Sequence, residues 1–138
     1  MSAEFIKKNS RIIGADAEDL AASYLAKLGF RIEERNFYVH MIGEIDIIAS
    51  RNDSLYFVEV KCRTNRNTFD IPNGCVSYKK LKRIRNCAEV YLQRKNIDNK
   101  YCKFVGAIIH NTESEKIPEI KLIQFEWSRM KGITDVLY

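Results

Sequence analysis

The feature that most constrains this chain is the apolar stretch GEIDIIASRNDSLYFVEVKCR, residues 43–63, which carries charges in its interior. On either side of the polar break RNDS, a high content of Ile, Val, Phe and Tyr predicts two β-strands. Strands that are apolar on both faces are normally buried, and a buried charge is costly unless it is paired or bound to a metal. Glu44, Asp46, Glu59 and Lys61 therefore need partners.

The register of this hairpin brings three of the charges together. If the chain reverses about Asn52 and Asp53, a two-residue or a four-residue loop places Asp46 opposite Glu59. Because side chains alternate along a strand, Glu59 and Lys61 share one face. Opposed like charges cost roughly 0.2–1 kcal/mol, whereas a divalent cation between them makes the arrangement favourable. A three-residue loop would shift the register and remove this convergence.

A salt bridge is the simpler interpretation of the same charges. Lys61 would neutralise one of the acids on a half-exposed sheet. Exposed ion pairs of this kind are common and contribute little to stability. The strand pattern alone leaves the salt bridge and the cation site open.

Composition predicts one soluble domain over residues 1–138. A hydrophobic content of 46% and a charged content of 30% are typical of globular proteins, and this length supports a real core. No apolar run is long enough to span a membrane, and the opening MSAEFIKKNSR has no hydrophobic signal core. We therefore expect a cytoplasmic protein with no membrane partner.

The cysteines and histidines do not indicate a zinc site. Cys62, Cys75, Cys87 and Cys102 form no CxxC pair, and without a secretory signal they are expected to be buried thiols rather than disulfides. His40 and His110 are isolated, as expected of loop or strand-end residues.

Positive charge is concentrated in one segment. The net charge of the chain is +5, but residues 76–95 carry seven basic side chains and one acid, Glu89. This segment is therefore +6, which leaves the rest of the chain at −1. A local excess of this kind indicates an anionic partner.

Periodicity predicts the order αβββαββ. Helical spacing of apolar residues indicates helices at 12–28, ending at Gly29, and at 77–94, with Ser77 as an N-cap. Strands are expected near 30–36, 44–50, 55–63, 103–110 and 117–125, and 64–74 as a loop. The tail 126–138 gives no clear signal. This order is typical of a mixed α/β sheet with helices packed on it.

Four segments resemble the YraN-like family of small uncharacterised bacterial proteins: GADAEDLAASYLAKLGFRIEERN, GEIDIIA, FVEVKCR and VSYKKLKRIRNCAEVYL. They occur in order over residues 14–92. That family is similar to the PD-(D/E)xK nuclease superfamily, which includes Holliday junction resolvases. The resemblance implies a restriction endonuclease-like fold, in which helices flank a mixed sheet.

The resemblance also implies a Mg²⁺ (or Mn²⁺) site. Asp46 and Glu59 would be metal ligands together with the backbone carbonyl of Val60, and Lys61 would orient or activate the attacking water. Glu18 lies at the edge of the first helix's apolar face, where a solvated charge is the simplest interpretation. It matches the family's acid on that helix, and so would complete the site. Hard oxygen ligands suit Mg²⁺, which can activate water and stabilise a phosphoryl transition state.

Three positions depart from the family pattern. Ile45 rather than Pro precedes Asp46, Cys62 stands where Thr is usual, and KFVGAII lacks the Asp of an RFDVV-like strand.

The expected function is therefore a Mg²⁺-dependent nuclease that acts on DNA, with branched or structured DNA among its candidate substrates. One alternative is a nucleic-acid-binding module without catalysis, and another is an interaction protein in which the acids and Lys61 form only a structural network. In the first two, the basic helix would contact phosphates without reading sequence. Its candidate contact residues are Lys79, Lys80, Lys82, Arg83 and Arg85.

Overall fold

The computed structural model describes residues 14–63, 78–110, 118–125 and 133–136. Within these ranges the chain forms helices α1 (Gly14–Lys27) and α2 (Tyr78–Arg94) and one mixed sheet. Its strands are β1 (Arg31–Val39), β2 (Gly43–Arg51), β3 (Ser54–Arg63), β4 (Tyr101–His110), β5 (Glu119–Phe125) and β6 (Ile133–Val136). The predicted α/β class and the order αβββαββ are confirmed, and β6 follows in the tail, where the residue pattern indicates no element. Ser77 and the loop 64–74 lie outside the described residues.

The strands lie side by side in sequence order, from β1 to β6. Every neighbouring pair is antiparallel except β3 and β4, which run parallel from Ser54↔Tyr101 to Arg63↔His110. A parallel pair needs a crossover connection, and α2 lies in the segment that joins these two strands. Helix α2 lies over the sheet mainly against β2 and also against β1.

The hairpin of β2 and β3 has the predicted register. Arg51 pairs with Ser54 and Ile47 with Val58, so that Asn52 and Asp53 form a two-residue turn. Asn52 has a φ of 54°, a conformation that Asn tolerates and that tight hairpin turns require. The two-residue loop is therefore the correct one of the predicted alternatives.

Two hydrophobic cores lie on opposite faces of the sheet. Alternate residues of β3 supply them, because Phe57 packs towards α2 whereas Val58 packs towards α1. Helix α1 contributes Ala17, Ala21 and Leu25, which are spaced four residues apart on one helical stripe. Burial of each large apolar side chain contributes about 1.5–3 kcal/mol. The result is a three-layer structure in which the sheet lies between the two helices.

Helix α1 ends at the predicted glycine. Gly29 has a φ of +90°, and the N–H of Phe30 donates to the carbonyl of Leu25 at 3.0 Å. This left-handed residue, with a hydrogen bond reaching back across it, is a common way for a helix to end.

The other sequence predictions on the fold have mixed outcomes. Cys62, Cys87 and Cys102 are free thiols, as expected, but only Cys87 is buried, since Cys62 and Cys102 are half-buried. Cys75 lies outside the described residues. His110 is fully buried at the last residue of β4. In the parts of the chain that the structure describes, no helix combines the length and apolar character needed to cross a membrane.

Candidate functional site

A polar cavity of about 210 Å³ lies between the β2–β3 hairpin and the start of α2. A water molecule in the liquid occupies about 30 Å³, so the cavity has room for a cation with several waters. The residues that line it are Gly43, Glu44, Asp46, Glu59, Lys80, Arg83 and Ile84.

A local rotation of β2 aims Asp46 into this cavity. Ile45 and Ile47 are two residues apart and would share a face in a regular strand, yet Ile45 packs in the α2 core and Ile47 in the α1 core. On the neighbouring strand, Asn36 has a φ of 53° at the same level. The backbone pairing of β2 with β3 therefore ends at Ile47, before Asp46. The side chain of Asp46 instead reaches β3, where its Oδ2 accepts a hydrogen bond from the Val60 N–H at 2.8 Å.

Burial and a neighbouring acid hold the Asp46 carboxyl group in an unusual protonation state. Desolvation is the largest cause and the negative charge of Glu59 the second, and together they raise the pKa of Asp46 from 3.8 to about 7. The Val60 N–H opposes this shift, while a hydrogen bond to the Glu59 side chain adds to it. Near neutral pH the Asp46 carboxyl group is therefore protonated in a substantial fraction of the molecules.

Glu59 is the buried centre of the site, because only 5% of its surface is exposed. Its Oε1 lies 3.3 Å from Lys61 Nζ on the same strand and 2.5 Å from Lys80 Nζ on α2. Burial lowers the pKa of Lys80, but its contacts with Glu59 outweigh this, and the net shift is upwards. Removal of either partner from a buried ion pair is strongly destabilising, so this cluster is a structural element as well as a candidate site.

Asp46, Glu59 and Lys61 thus lie together where the hairpin register places them, whereas Glu18 is less directly involved. Its Oε2 lies 3.9 Å from Arg35 Nη2, and its charge is the smallest of the causes that raise the pKa of Asp46. With the Asn36 amide oriented by its hydrogen-bonding neighbours, its nitrogen donates to Glu18 at 3.0 Å and to Glu44 at 2.9 Å. Glu18 therefore lies behind the cavity, connected to its wall through Asn36.

The five basic residues predicted to contact phosphates divide into two groups. Lys79, Lys82 and Arg83 are exposed on α2, and Arg83 also lines the cavity. Lys80 instead binds Glu59, and Arg85 Nε lies 3.4 Å from Glu89 Oε1, one helical turn away. The exposed group is the more accessible to an approaching polyanion, and contact with nucleic acid remains a prediction for all five.

The sequence predicts Lys80 only as a phosphate contact and Glu44 only as a charge that needs a partner, and places neither in the cavity. Lys80 precedes Ile84 by four residues, and Ile84 precedes Ala88 by four, so it lies at the start of the buried stripe of α2. A lysine at that position points towards the sheet rather than away from it. The position of Lys80 could therefore have been predicted from this spacing. The position of Glu44 depends on its contact with Asn36, which periodicity does not predict.

The residues present fit a hard divalent cation. Among the described residues, no three His, Cys, Asp or Glu side chains are grouped to hold a metal. Mg²⁺, however, usually binds through one or two carboxylates and keeps several waters. Asp46 and Glu59 supply the carboxylates, and their mutual repulsion is what a cation relieves. Gly43 lines the cavity with a φ of +153°, a conformation that residues other than glycine rarely adopt.

Comparison with known proteins places the chain among bacterial relatives. Residues 17–110 match the Uncharacterised protein family UPF0102. A UPF0102 protein of Dictyoglomus turgidum is 43% identical over 108 residues, which cover 78% of this chain and 90% of the relative. One from Clostridium perfringens is 42% identical over 99 residues (72% and 80%), and one from Sulfurovum is 38% identical over 112 residues (81% and 96%). The family resemblance of the sequence is thereby confirmed: the chain belongs to the uncharacterised protein family UPF0102.

Proposed function

We propose that this chain is a nuclease that depends on Mg²⁺ or Mn²⁺ and hydrolyses phosphodiester bonds of DNA. One observation carries the proposal: Asp46 and Glu59 open into the same polar cavity, and Lys61 contacts Glu59 at its edge. A carboxylate pair with an adjacent ammonium group suits metal-assisted attack of water on a phosphate. The resemblance to the PD-(D/E)xK superfamily supports the same reaction.

Each side chain has a distinct task in this proposal. Asp46, Glu59 and the carbonyl of Val60 would hold the metal, which when bound supplies positive charge that stabilises the phosphoryl transition state and acidifies the attacking water. Lys61 orients that water and offsets negative charge on the phosphate. Glu18 acts through Asn36, where it supports the wall of the cavity that Glu44 forms.

The surface beside the cavity suits a DNA backbone. Lys79 and Lys82 are exposed on α2, and Arg83 continues this positive surface into the cavity itself. Basic side chains contact phosphates regardless of sequence and position the duplex. Branched and otherwise structured DNA are the first substrates to test, because superfamily members that resolve junctions share the motif.

The experiment is a cleavage assay with Mg²⁺ and with Mn²⁺ on single-stranded, duplex and branched DNA. Asp46→Asn should reduce cleavage more than about 100-fold, since it removes a charged metal ligand. Folding should survive, because the Asn carbonyl can still accept the Val60 hydrogen bond. Asp53→Asn, at the exposed hairpin turn, is the matched control and should cleave normally. Wild-type cleavage by Asp46→Asn would refute the assignment.

A nucleic-acid-binding module without catalysis is the second candidate. It is favoured by the two ammonium groups that already neutralise Glu59. Lys61→Met distinguishes the two: an ammonium cannot be a metal ligand, so a nuclease should lose turnover and keep its metal, whereas a binder should keep its DNA affinity and have no cleavage to lose. A purely structural network would instead lose about 3–5 kcal/mol of stability.

A further inference from the structure

The carboxylate oxygen Glu59 Oε1 is contacted by two ammonium groups from different elements. Lys61 Nζ lies 3.3 Å away and Lys80 Nζ 2.5 Å away. The charge of Asp46 also acts on Lys80, so two ammonium groups face two carboxyl groups here, and a divalent cation would add positive charge in excess. The shorter contact belongs to Lys80, which the mechanism above does not use.

The two lysines are anchored differently. Lys61 belongs to β3 and pairs in the ladder with Ile108, which holds its backbone within the sheet. Lys80 lies in the first turn of α2, and 38% of its side chain is exposed, compared with 29% for Lys61. A lysine stem has several rotatable bonds and can carry the ammonium group between two positions. Lys80 is therefore the more exposed of the two lysines, and its stem can carry the ammonium group into solvent.

A divalent cation and the Lys80 ammonium group compete for the same place. Both would be attracted by the negative charge of Glu59 in the same cavity. Both would also be attracted by Asp46, whose charge acts on Lys80. Two positive groups a few ångströms apart repel each other strongly in a poorly hydrated site. The observed position of Lys80 would therefore disfavour a metal between Asp46 and Glu59 more than that of Lys61 does, because Lys80 Nζ is the nearer of the two ammonium groups to Glu59 Oε1.

We propose that Lys80 is a displaceable countercation: it holds Glu59 in the metal-free protein, and a divalent metal must expel it in order to bind. This inference rests on the proposed function, since it concerns the metal site of that nuclease. It makes Lys80 a positioning residue that sets the metal concentration at which the site fills. It also explains why a basic residue of α2 is turned inward while its neighbours Lys79 and Lys82 are exposed.

The test is Mn²⁺ binding to the full chain, measured by calorimetry or by the paramagnetic resonance signal of free Mn²⁺. Lys80→Met should bind Mn²⁺ about tenfold more tightly than wild type, because a repelling unit charge is gone. Lys79→Met is the matched control: it removes the same charge from the same turn of α2, where Lys79 is exposed, and should bind like wild type. Asp46→Asn identifies the site, since it should weaken binding in both backgrounds.

A second measurement uses the wild-type chain and does not depend on how Lys80→Met folds. Nitrogen-15 resonances of the lysine ammonium groups, assigned with Lys80→Arg, should show the Lys80 signal broadened by exchange with water when Mg²⁺ is added. The Lys61 signal should stay sharp. A Lys80 signal that is unchanged at saturating Mg²⁺ would overturn the inference.

The outcomes separate the inference from the proposed function. If wild type binds Mn²⁺ through Asp46 and Lys80→Met binds no tighter, the inference fails and the metal site stands. If wild type binds none and Lys80→Met binds, the inference is supported, and the nuclease proposal fails for the native chain. If neither binds, both fail. Equal tightening by Lys79→Met would point to general charge rather than displacement, and would also refute the inference.

Discussion

At the scale of single residues, two opposing effects determine whether the Asp46 carboxyl group is charged. Its Oδ2 accepts the Val60 N–H, which favours the charged carboxylate, while burial beside Glu59 favours the neutral acid. The effect of burial and Glu59 is the larger one, because the pKa of Asp46 is raised to about 7. A carboxyl group left in this state in the metal-free protein is a cost that folding alone does not require.

The raised pKa of Asp46 predicts how stability depends on pH in the absence of metal. Between the unfolded value of 3.8 and the folded value of about 7, the folded state binds more protons than the unfolded state. The stabilising contribution of this proton is therefore fully present below about pH 4 and is lost as the pH rises to about 7. Melts in EDTA at steps from pH 4 to pH 8 measure this, with Asp46→Asn as the reference.

The informative quantity in those melts is the difference between the two proteins. Asp46→Asn cannot titrate at this position. The unfolding free energy of wild type should therefore fall relative to that of Asp46→Asn as the pH rises through this window, with a slope that corresponds to at most one proton. Above pH 8 the difference should be constant. Parallel profiles for the two proteins would show that Asp46 has an ordinary pKa.

Part of this site is readable from the sequence because it depends on local geometry. A two-residue turn and strand alternation bring Asp46 and Glu59 to the same end of the hairpin, one position beyond the last paired residues, Ile47 and Val58. The contact between Lys80 and Glu59 depends on how α2 docks on the sheet, and the rotation of β2 at Asp46 depends on Asn36 of the neighbouring strand. These are tertiary effects, which the periodicity of a single segment does not contain.

At the scale of elements, the basic residues of α2 have two different electrostatic roles, which a count of charges along the sequence does not distinguish. Lys80 and Arg85 are engaged by the acids Glu59 and Glu89. Lys79 and Lys82 remain exposed on the outer surface. A count of positive charges therefore overstates the number of side chains that face a DNA partner.

This division predicts which charges set the salt dependence of DNA binding. The double substitution Lys79→Ala and Lys82→Ala should weaken binding and lower the slope of log K against log salt by about 1 for each phosphate that is no longer neutralised. Arg85→Ala should change that slope less, because Arg85 is paired within the helix. Fluorescence anisotropy with labelled duplex at roughly 50–300 mM salt makes the comparison.

Lys27→Ala is the matched control, because Lys27 is exposed at the end of α1, on the other side of the sheet. It should leave the slope unchanged. If Lys27→Ala and the double variant lower the slope equally, the positive charge acts as a diffuse field and α2 is not the contact surface.

Most elements follow from their residue patterns, and β6 shows where such patterns fail. The helices and the β2–β3 hairpin are long enough for a period of 3.6 or 2 to be visible. Strand β6 is four residues, ITDV, and pairs with β5 through Ile123↔Val136 and Gln124↔Asp135. The position of a strand this short is set by its hydrogen bonds to the edge of β5, so its own residues do little to predict a strand.

At the scale of the whole molecule, the site belongs to a three-layer structure whose sheet is continuous on both sides of it. Glu59 lies on β3, which pairs with β2 on one side and β4 on the other. Its neighbours Val58 and Val60 face the opposite core, so a shift of β3 would disturb both layers. A metal bound to Glu59 would therefore be coupled to the stability of the entire fold.

That coupling predicts a thermal shift. A ligand that binds only the native state stabilises it by about 2.7 kcal/mol at 100 times its Kd, which is several degrees of Tm for a domain of this size. Mn²⁺ at such a concentration should raise the Tm of wild type, and Asp46→Asn should lose most of this shift. Ca²⁺ and added NaCl at equal ionic strength serve as controls. A rise that persists in Asp46→Asn would assign the metal to another site.

The parallel pairing of β3 with β4 also has a consequence for how the protein folds. The contact between Asp46 and Val60 spans 14 residues and is closed by a tight turn, whereas Ser54 pairs with Tyr101, 47 positions further along the chain. Closing the longer loop costs more entropy, and contacts that are distant in sequence form late. We therefore expect the two acids to meet in an early hairpin, with Lys61 beside Glu59 but before α2 has brought Lys80 into contact. The charge repulsion that Lys61 leaves uncompensated should then slow refolding.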